Sequence, residues 1–311
     1  MPLFTVVIPL YNRENTIKDA ILSILNQTFA DFEIIVVNDA SSDNSLKIVE
    51  SIIDSRIRII SNEKNLERCN SRNLGIGNAK GEYICFLDSD DYHLNNHLSV
   101  FYDQIVKDNY PIKFYFTNSW NKDFSGLISE RVCPNYEDFN PYHYFLTFTV
   151  NPQRWCVHNS IFQSVQFDEK VIICEDMDTS LRILANNFDV FHIKERTTVY
   201  VATIDSFTHG DLKKAEKELF YLKRIFSKKE LKDKLPKKSK KRLLSMCYYF
   251  LAKQFFENND RKSTIYYSAK SFFTFPKSYN NNTNKTLLIM TIYSIPLFGW
   301  GIKNCVKLFK N

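Results

Sequence analysis

Short hydrophobic runs alternate with segments of helical periodicity along the first part of the chain. Each run is five to seven residues long, and each segment between two runs repeats its apolar residues every three or four positions. The predicted strands are Phe4–Leu10, Phe32–Val37, Arg56–Ser61 (nearer the sheet edge) and Tyr83–Leu87, and the predicted helices are Asn15–Asn26, Ser42–Ile53 and Arg68–Ala79. Strands and helices that alternate in this way form βαβ units, so the pattern predicts an α/β fold around a parallel sheet.

Polar residues follow every predicted strand at its carboxyl end. They are Tyr11-Asn12, Asn38-Asp39, Asn62 to Asn65 and Asp88 to Asp91, in the order of the strands. Because ligands of open α/β sheets bind outside the carboxyl ends of the strands, we expect these four clusters to form one ligand site.

The last cluster, Asp88-Ser89-Asp90-Asp91, places three carboxylates within four positions, where they repel one another. Two carboxylates at i and i+2 can bind one Mg²⁺ or Mn²⁺ ion, which prefers hard oxygen ligands and is completed by substrate phosphates and water. The alternative is that they are solvated turn residues or caps of the next helix. Their position at a ligand-binding edge favours the metal site.

The chain contains no glycine-rich phosphate loop, neither G-x-x-x-x-G-K-[ST] nor G-x-G-x-x-G. Phosphates would therefore be bound by the metal ion and by an arginine. Arg72 is placed for such a contact, and the alternative is an exposed helix cation.

Composition indicates a folded protein of a reducing compartment. Hydrophobic residues make up 44% and aromatic residues 15% of the chain, which excludes a disordered protein. The seven cysteines form no C-x-x-C pair, so we expect free thiols. The N-terminus enters a strand pattern without a basic region or a cleavage site, so we expect no signal peptide and a cytoplasmic location.

The net charge of +6 conceals two regions of opposite sign. Residues 1–210 carry 18 basic and 28 acidic side chains, a net charge of −10, whereas residues 211–311 carry 23 and 7, a net charge of +16. The basic region contains two predicted helices, Leu243–Phe256 and Ser263–Phe273, and an apolar stretch, Thr286–Ile302, that is short for a transmembrane helix. We expect it to bind the anionic inner face of the cell membrane peripherally. The alternative is packing on the first region or on a partner chain; nucleic acid is a less favoured partner.

The motifs together resemble the family 2 glycosyltransferases of bacteria. They are P-L-Y-N-R-E at Pro9–Glu14, S-I-L-N-Q-T-F-A-D-F-E-I-I-V-V-N-D-A-S-S-D-N-S at Ser23–Ser45, and S-R-N-L-G-I-G-N-A-K-G-E-Y-I-C-F-L-D-S-D-D at Ser71–Asp91. The resemblance implies the GT-A fold, an α/β domain for a nucleotide-diphosphosugar, over residues 1–210. Residues 1–100 would be its nucleotide-binding half and residues 101–210 its acceptor half.

The resemblance also implies a role for each motif. The donor nucleotide would lie on Pro9, Tyr11, Glu14, Asp39, Arg72 and Asp88, and the metal ion on Asp90 with Asp88. An acidic side chain such as Asp39 can accept the imide N–H of uracil, the usual base in this family. Asn38 and Ala40 stand where many relatives have Asp and Gly, and these changes leave Asp39 intact.

The acceptor half carries fewer motifs. The resemblance places the catalytic base in the pair Glu175-Asp176, with Asp176 preferred, although acids at a helix start also have a purely structural explanation. Trp155 would line the acceptor or sugar pocket, unless it belongs to the core, and His158 is read as structural. The histidine that relatives often place after a late strand is missing, which leaves His209 as a substitute metal ligand.

These features predict an inverting, metal-dependent transferase. It would move a sugar, with UDP-sugar as the expected donor, to a hydroxyl of a glycan or lipid-linked acceptor in surface polysaccharide assembly. The first alternative is a polyprenyl-phosphate glycosyltransferase, which needs no general base because its acceptor is already anionic. The others are a non-catalytic nucleotide-sugar-binding module and a sugar nucleotidyltransferase, which would release pyrophosphate.

Overall fold

The computed structural model describes residues 1–131, 133–202 and 212–276. The strands of these residues are Phe4–Leu10 (β1), Phe32–Asn38 (β2), Ile57–Ser61 (β3), Tyr83–Phe86 (β4), Tyr92–His93 (β5), Lys113–Lys122 (β6), Ile128–Glu130 (β7), Trp155–His158 (β8) and Asp189–Val201 (β9). The α-helices are Ile17–Leu25 (α1), Ser45–Glu50 (α2), Glu67–Gly77 (α3), His97–Lys107 (α4), Pro141–Thr147 (α5), Asn159–Ser164 (α6), Glu175–Ala185 (α7), Leu212–Ser227 (α8), Lys237–Glu257 (α9) and Arg261–Thr274 (α10). The chain divides into two compact units, Met1–Ser206 and Phe207–Asn311.

All nine described strands belong to one sheet in the first unit, in the order β3-β2-β1-β4-β8-β6-β9-β5, with β7 paired to β6. The strands β1 to β4 are parallel to one another. Since β8 is antiparallel to both β4 and β6, and β6 is parallel to β9, the strands β6 and β9 run in the same direction as the first four. The predicted α/β fold with a mostly parallel sheet is confirmed, and β3 lies at its edge as predicted.

The central strands are buried because helices cover the sheet. Every residue of β2 and β4 is buried, and the core against them includes Ile17, Ile21 and Ile24 of α1. Helix α3 packs very closely on β1 at Gly75, where a Cβ atom would come within 2.3 Å of Val7 Cγ1. The glycine that lowers the helical propensity of this segment is therefore what allows α3 to approach the sheet.

Helix α2 is shorter than predicted, Ser45–Glu50 in place of Ser42–Ile53. The backbone N–H of Ser42 donates to Asn12 Oδ1 at 2.8 Å, and that of Asn44 donates to Glu14 Oε2 at 2.9 Å. Because these groups bind the loop after β1, the helix starts three residues later, and the two loops are joined.

The second unit contains the helices α8, α9 and α10. Helices α9 and α10 approach closely at Ser245 and Ser271, whose hydroxyls each donate to the other residue's carbonyl oxygen at 2.8 Å. The predicted helices Leu243–Phe256 and Ser263–Phe273 are confirmed within longer ones. Among the described helices, none combines the length and the apolar character that a membrane crossing requires. The apolar stretch Thr286–Ile302 lies outside the described residues.

Candidate active site at the carboxyl edge of the sheet

The first two loops at the carboxyl edge of the sheet are held together by side chains. Besides the bonds of Ser42 and Asn44, the backbone N–H of Arg13 donates to Ser45 Oγ at 2.7 Å. Thr16 Oγ1 donates to the carbonyl of Ser89 at 2.8 Å, which ties the first loop to the acidic cluster after β4. Tyr11 projects from this framework with 45% of its surface exposed. Pro9 therefore lies near the end of β1, and Tyr11 and Glu14 lie in the loop that follows it, beside the acidic cluster.

Asp39 is buried directly after β2, and its Oδ1 accepts two hydrogen bonds. Asn62 Nδ2 donates to this oxygen at 2.7 Å, and the backbone N–H of Leu66 donates to it at 2.9 Å. The neighbouring Ala40 has φ +57°, in the left-handed region that favours glycine. This backbone conformation fits the glycine that the resemblance implies at this position.

Arg72 connects the acidic cluster to the start of α7. Its guanidinium donates to Asp88 Oδ1 at 2.8 Å and to Glu175 Oε1 at 3.0 Å, while its side chain is 1% exposed. Burial acts to lower the pKa of Arg72, but the two carboxylates outweigh it and raise the pKa, so the guanidinium stays charged. The structure gives this arginine a positioning role between two carboxylates, not an open face toward a diphosphate.

The pair Glu175-Asp176 stands at the first turn of α7, after Cys174 with φ +62°. Glu175 is occupied by Arg72 and, at 3.8 Å, by Arg68. Burial, together with the neighbouring Glu175 carboxylate, raises the pKa of Asp176 to about 7. One acid is thus paired with cations, and the other is poised to gain or lose a proton near neutral pH.

Asp88 and Asp90 have the chemistry of a divalent-metal site. Their side chains are 26% and 23% exposed, and Arg13 Nε lies 3.3 Å from Asp90 Oδ2. Burial, followed by the Asp88 charge, raises the pKa of Asp90, and the neighbouring Arg13 acts in the opposite direction. The described residues contain no group of three or more His, Cys, Asp or Glu that could hold a metal. Two carboxylates nevertheless fit Mg²⁺ or Mn²⁺, since these ions commonly take one or two protein carboxylates and complete their coordination with substrate phosphates.

Asp91 has a structural role. Its Oδ1 accepts the backbone N–H of Val201 and its Oδ2 accepts Gln153 Nε2, both at 2.7 Å, and it is 3% exposed. Burial, followed by the charges of Asp88 and Asp90, raises the pKa of Asp91 well above its usual value. This carboxyl group links the acidic cluster to the end of β9, and both of its oxygens are engaged in hydrogen bonds.

Trp155 lies in the core. Its ring is fully buried and stacks on Phe167, with the centroids 5.8 Å apart, and its Nε1 donates to the carbonyl of Val150 at 2.8 Å. An indole with no exposed surface cannot line a pocket, so the core alternative applies. His158 binds the Ser160 backbone N–H at the start of α6, as a structural residue does. His209 lies outside the described residues.

Sequence reasoning missed Arg13. The residue sits between two predicted donor-site positions, and only the folded loop brings its guanidinium to Asp90. Its charge within the P-L-Y-N-R-E motif was the available signal.

A model of glycosyl transferase family 2 matches residues 5–164. The chain is 35% identical over 138 residues to a UDP-Glc:α-D-GlcNAc-diphosphoundecaprenol β-1,3-glucosyltransferase of Escherichia coli, WfgD. That match covers 44% of this chain and 54% of the relative, about half of its length.

Two solved structures share the fold. Residues 1–349 of S. aureus TarS in complex with UDP-GlcNAc align with a TM-score of 0.63 at 18% identity, over 96% of this chain and 86% of that one. The mannosyltransferase PcManGT of Pyrobaculum calidifontis, in complex with GDP-Man and Mn²⁺, aligns with a TM-score of 0.60 at 12% identity, over 96% of this chain and 82% of that one.

Proposed function

The chain belongs to glycosyl transferase family 2, and from this premise we propose that it transfers a sugar from a UDP-sugar to an acceptor hydroxyl with inversion at the anomeric carbon. The observation that carries the proposal is the pair of ion pairs made by Arg72. They bring the acidic cluster after β4 and the start of α7 to one guanidinium. A donor-binding motif and a candidate base therefore meet at one edge of the sheet.

The donor nucleotide would lie over the joined loops after β1 and β2. Asp39 is held by two bonds to the same oxygen, Oδ1, so we assign its Oδ2 to the imide N–H of uracil. The exposed Tyr11 offers a surface for the base, between Pro9 near the end of β1 and Glu14 in the loop after it. The choice of UDP is supported by the UDP-sugars named for WfgD and for the TarS complex.

The diphosphate would face Asp88 and Asp90. A bound Mg²⁺ or Mn²⁺ supplies positive charge that offsets the charge of the departing diphosphate. Arg13 provides a second cation at Asp90, and the ion pair with Arg72 holds Asp88 in place. The Mn²⁺ of the PcManGT complex supports the use of a divalent ion.

Asp176 would act as the general base. Glu175 is held in its ion pair with Arg72, which leaves Asp176 as the available acid of the pair, and its pKa, raised to about 7, suits a base at neutral pH. It would accept the proton of the acceptor hydroxyl as the hydroxyl attacks the anomeric carbon opposite the diphosphate. A phosphate acceptor has no such proton to lose, so a required Asp176 separates the hydroxyl mechanism from the polyprenyl-phosphate alternative.

The acceptor proposed is a lipid-linked glycan at the inner face of the cell membrane. It is supported by the diphosphoundecaprenol acceptor named for WfgD. The described part of the second unit, residues 212–276, carries 18 basic and 6 acidic side chains, a net charge of +12, which favours an anionic surface. Packing on a partner chain is the alternative for this unit.

The experiment is a screen of UDP-sugars with Mn²⁺ and a diphospholipid-linked sugar acceptor, with product analysis. Release of UDP together with a glycosylated lipid of inverted configuration would support the proposal. Release of pyrophosphate would identify a nucleotidyltransferase, and binding without turnover a non-catalytic module.

A further inference from the structure

Each of the two proposed metal ligands forms an ion pair with an arginine. Arg13 Nε lies 3.3 Å from Asp90 Oδ2, and Arg13 Nη1 also donates to the carbonyl of Asn12 at 3.1 Å. Arg72 Nη2 lies 2.8 Å from Asp88 Oδ1. A divalent ion would take its ligands from these same two carboxylates, because Mg²⁺ and Mn²⁺ prefer carboxylate oxygens. The guanidiniums and the ion therefore compete for the carboxylates.

The ion pairs at this edge of the sheet balance in charge. Three carboxylates and three guanidiniums meet there within 4 Å, those of Asp88, Asp90, Glu175, Arg13, Arg68 and Arg72. A divalent ion that arrived alone would meet ligands already neutralised and would be repelled by the guanidiniums beside them. A diphosphate brings negative charge of its own. A guanidinium that leaves a carboxylate for the diphosphate therefore makes room for the ion and keeps the charges balanced.

Arg13 is better placed than Arg72 to make such a move. The Arg72 side chain is 1% exposed and binds two carboxylates, whereas the Arg13 side chain is 32% exposed and its ion pair is longer. The backbone of Arg13 is fixed, since its N–H donates to Ser45 Oγ at 2.7 Å and its carbonyl accepts the N–H groups of Thr16 and Ile17 at 3.1 and 3.0 Å. The Arg13 side chain can therefore turn while the loop around it stays in place.

We infer that Arg13 holds the place of the divalent ion at Asp90 and passes to the diphosphate when the ion and the nucleotide bind together. The inference rests on the proposed function, which assigns the ion to Asp88 and Asp90 and the diphosphate to the space beside them. Arg13 then weakens the binding of the ion alone and strengthens the binding of the nucleotide with the ion. The two ligands consequently bind cooperatively.

The test compares two arginine variants of the full chain, Arg13→Gln and Arg56→Gln. The two native side chains are equally exposed, 32% each, and their aspartate partners, Asp90 and Asp54, are 23% and 22% exposed. Each variant thus removes one positive charge and one ion pair of the same kind, and Arg56 precedes β3, away from the proposed site. Electron paramagnetic resonance of Mn²⁺ measures the binding of the ion alone, and calorimetry measures the binding of UDP in the presence of Mn²⁺. Neither readout depends on turnover, and circular dichroism confirms that both variants are folded.

The two affinities should change in opposite directions in Arg13→Gln. Mn²⁺ alone should bind about tenfold more tightly, because a repelling charge is gone. UDP with Mn²⁺ should bind about tenfold more weakly, because a charged contact to the diphosphate is lost. Arg56→Gln should leave both affinities unchanged. A merely structural role for Arg13 would weaken both affinities, so the opposite signs distinguish the two roles.

Unchanged or weaker binding of Mn²⁺ alone by Arg13→Gln would overturn the inference, and so would an unchanged affinity for UDP in the presence of Mn²⁺. If neither the native chain nor the variant binds Mn²⁺, with or without UDP, the metal assignment fails and the inference fails with it. If both affinities shift as expected but the native chain turns over no UDP-sugar, the proposed transferase activity fails and the role of Arg13 in a nucleotide-binding module stands.

Discussion

Arg72 and Glu175 lie 103 positions apart in the sequence, and their side chains meet at 3.0 Å inside the first unit. The same guanidinium holds Asp88 at 2.8 Å. This one residue thereby sets the distance between the proposed donor motif and the helix that carries the proposed base.

Removal of Arg72 should destabilise the fold as well as the site. Arg72→Ala leaves Glu175 buried without its main partner, which costs about 3–5 kcal/mol of unfolding free energy. The matched control is Arg56→Ala, which breaks the partly exposed pair with Asp54 and the contact with the Phe32 ring and should cost no more than about 2 kcal/mol. Urea unfolding of both variants checks this. Equal costs would mean that the buried pair does not organise the site.

Asp39→Ala should weaken UDP binding by about 1.5–3 kcal/mol, the value of a hydrogen bond to a charged group. Isothermal titration with UDP and Mn²⁺ measures the difference. The control is Asp54→Ala. Asp54 precedes β3 and so lies at the opposite, amino edge of the sheet, and this variant should bind UDP as the native chain does. Undiminished affinity in Asp39→Ala would remove the uracil assignment.

Asp90→Ala should abolish the Mn²⁺- or Mg²⁺-dependent turnover while the fold remains intact, because its partly exposed side chain supports little of the core. Circular dichroism confirms folding, and calorimetry with Mn²⁺ in the presence of UDP reads the metal directly. Asp91→Asn is the contrasting variant. Since Asp91 holds Val201 and Gln153, its replacement should reduce stability more than metal affinity. Retained Mn²⁺ binding in Asp90→Ala would contradict the metal assignment.

The pH dependence of turnover should follow Asp176. Its pKa is raised to about 7, so the carboxyl group takes up a proton as the pH falls through 7 and can no longer accept one from the acceptor. The rate should therefore decline about tenfold per pH unit below this point. Asp176→Asn should lose about 10²–10⁴ in rate with UDP binding unchanged. If Glu175→Gln loses the rate and Asp176→Asn keeps it, the roles of the two acids are exchanged.

The same raised pKa has a consequence for stability. The folded state holds the Asp176 proton up to about pH 7, whereas the unfolded chain releases it near the usual value of 3.8. The native chain therefore loses stability as the pH rises between these values, and the asparagine variant does not. Asp176→Asn should melt above the native chain at pH 8 and match it below pH 4. A difference in melting temperature that does not change with pH would show that burial does not raise this pKa.

Two glycines of α3 should respond in opposite directions to alanine. Gly75→Ala forces a Cβ atom against Val7 and should cost about 1–3 kcal/mol. Gly77→Ala meets nothing within 4 Å and should stabilise the helix by up to about 1 kcal/mol. Thermal unfolding of the two variants checks the close packing of α3 on β1, which positions Arg72. Equal effects would contradict it.

The sequence predicted the first half of the sheet because its strands and helices are set by local periodicity. Local periodicity could not predict the contacts between segments that are distant in the sequence. In the sequence, Asp91 cannot be distinguished from the other aspartates of the D-S-D-D motif. Its structural role comes from hydrogen bonds with Val201 and Gln153, which are distant in the sequence. The contact between Arg13 and Asp90 depends on how the loop folds. Trp155 belongs to the core because the rings of Phe86, Phe114 and Phe167 pack around it. The start of α2 shifted because loop side chains, not helix propensity, bind residues 42–44.

The most direct test of the central claim is the release of UDP from a UDP-sugar by the full chain, with Mn²⁺ and a diphospholipid-linked sugar acceptor. The native chain should release UDP in step with glycosylated lipid, and Asp176→Asn should release about 10²–10⁴ times less while binding UDP equally well. Equal release by the two proteins, or no release from any UDP-sugar by a native chain that binds UDP, would contradict the assignment of this edge as the active site of a base-assisted glycosyltransferase.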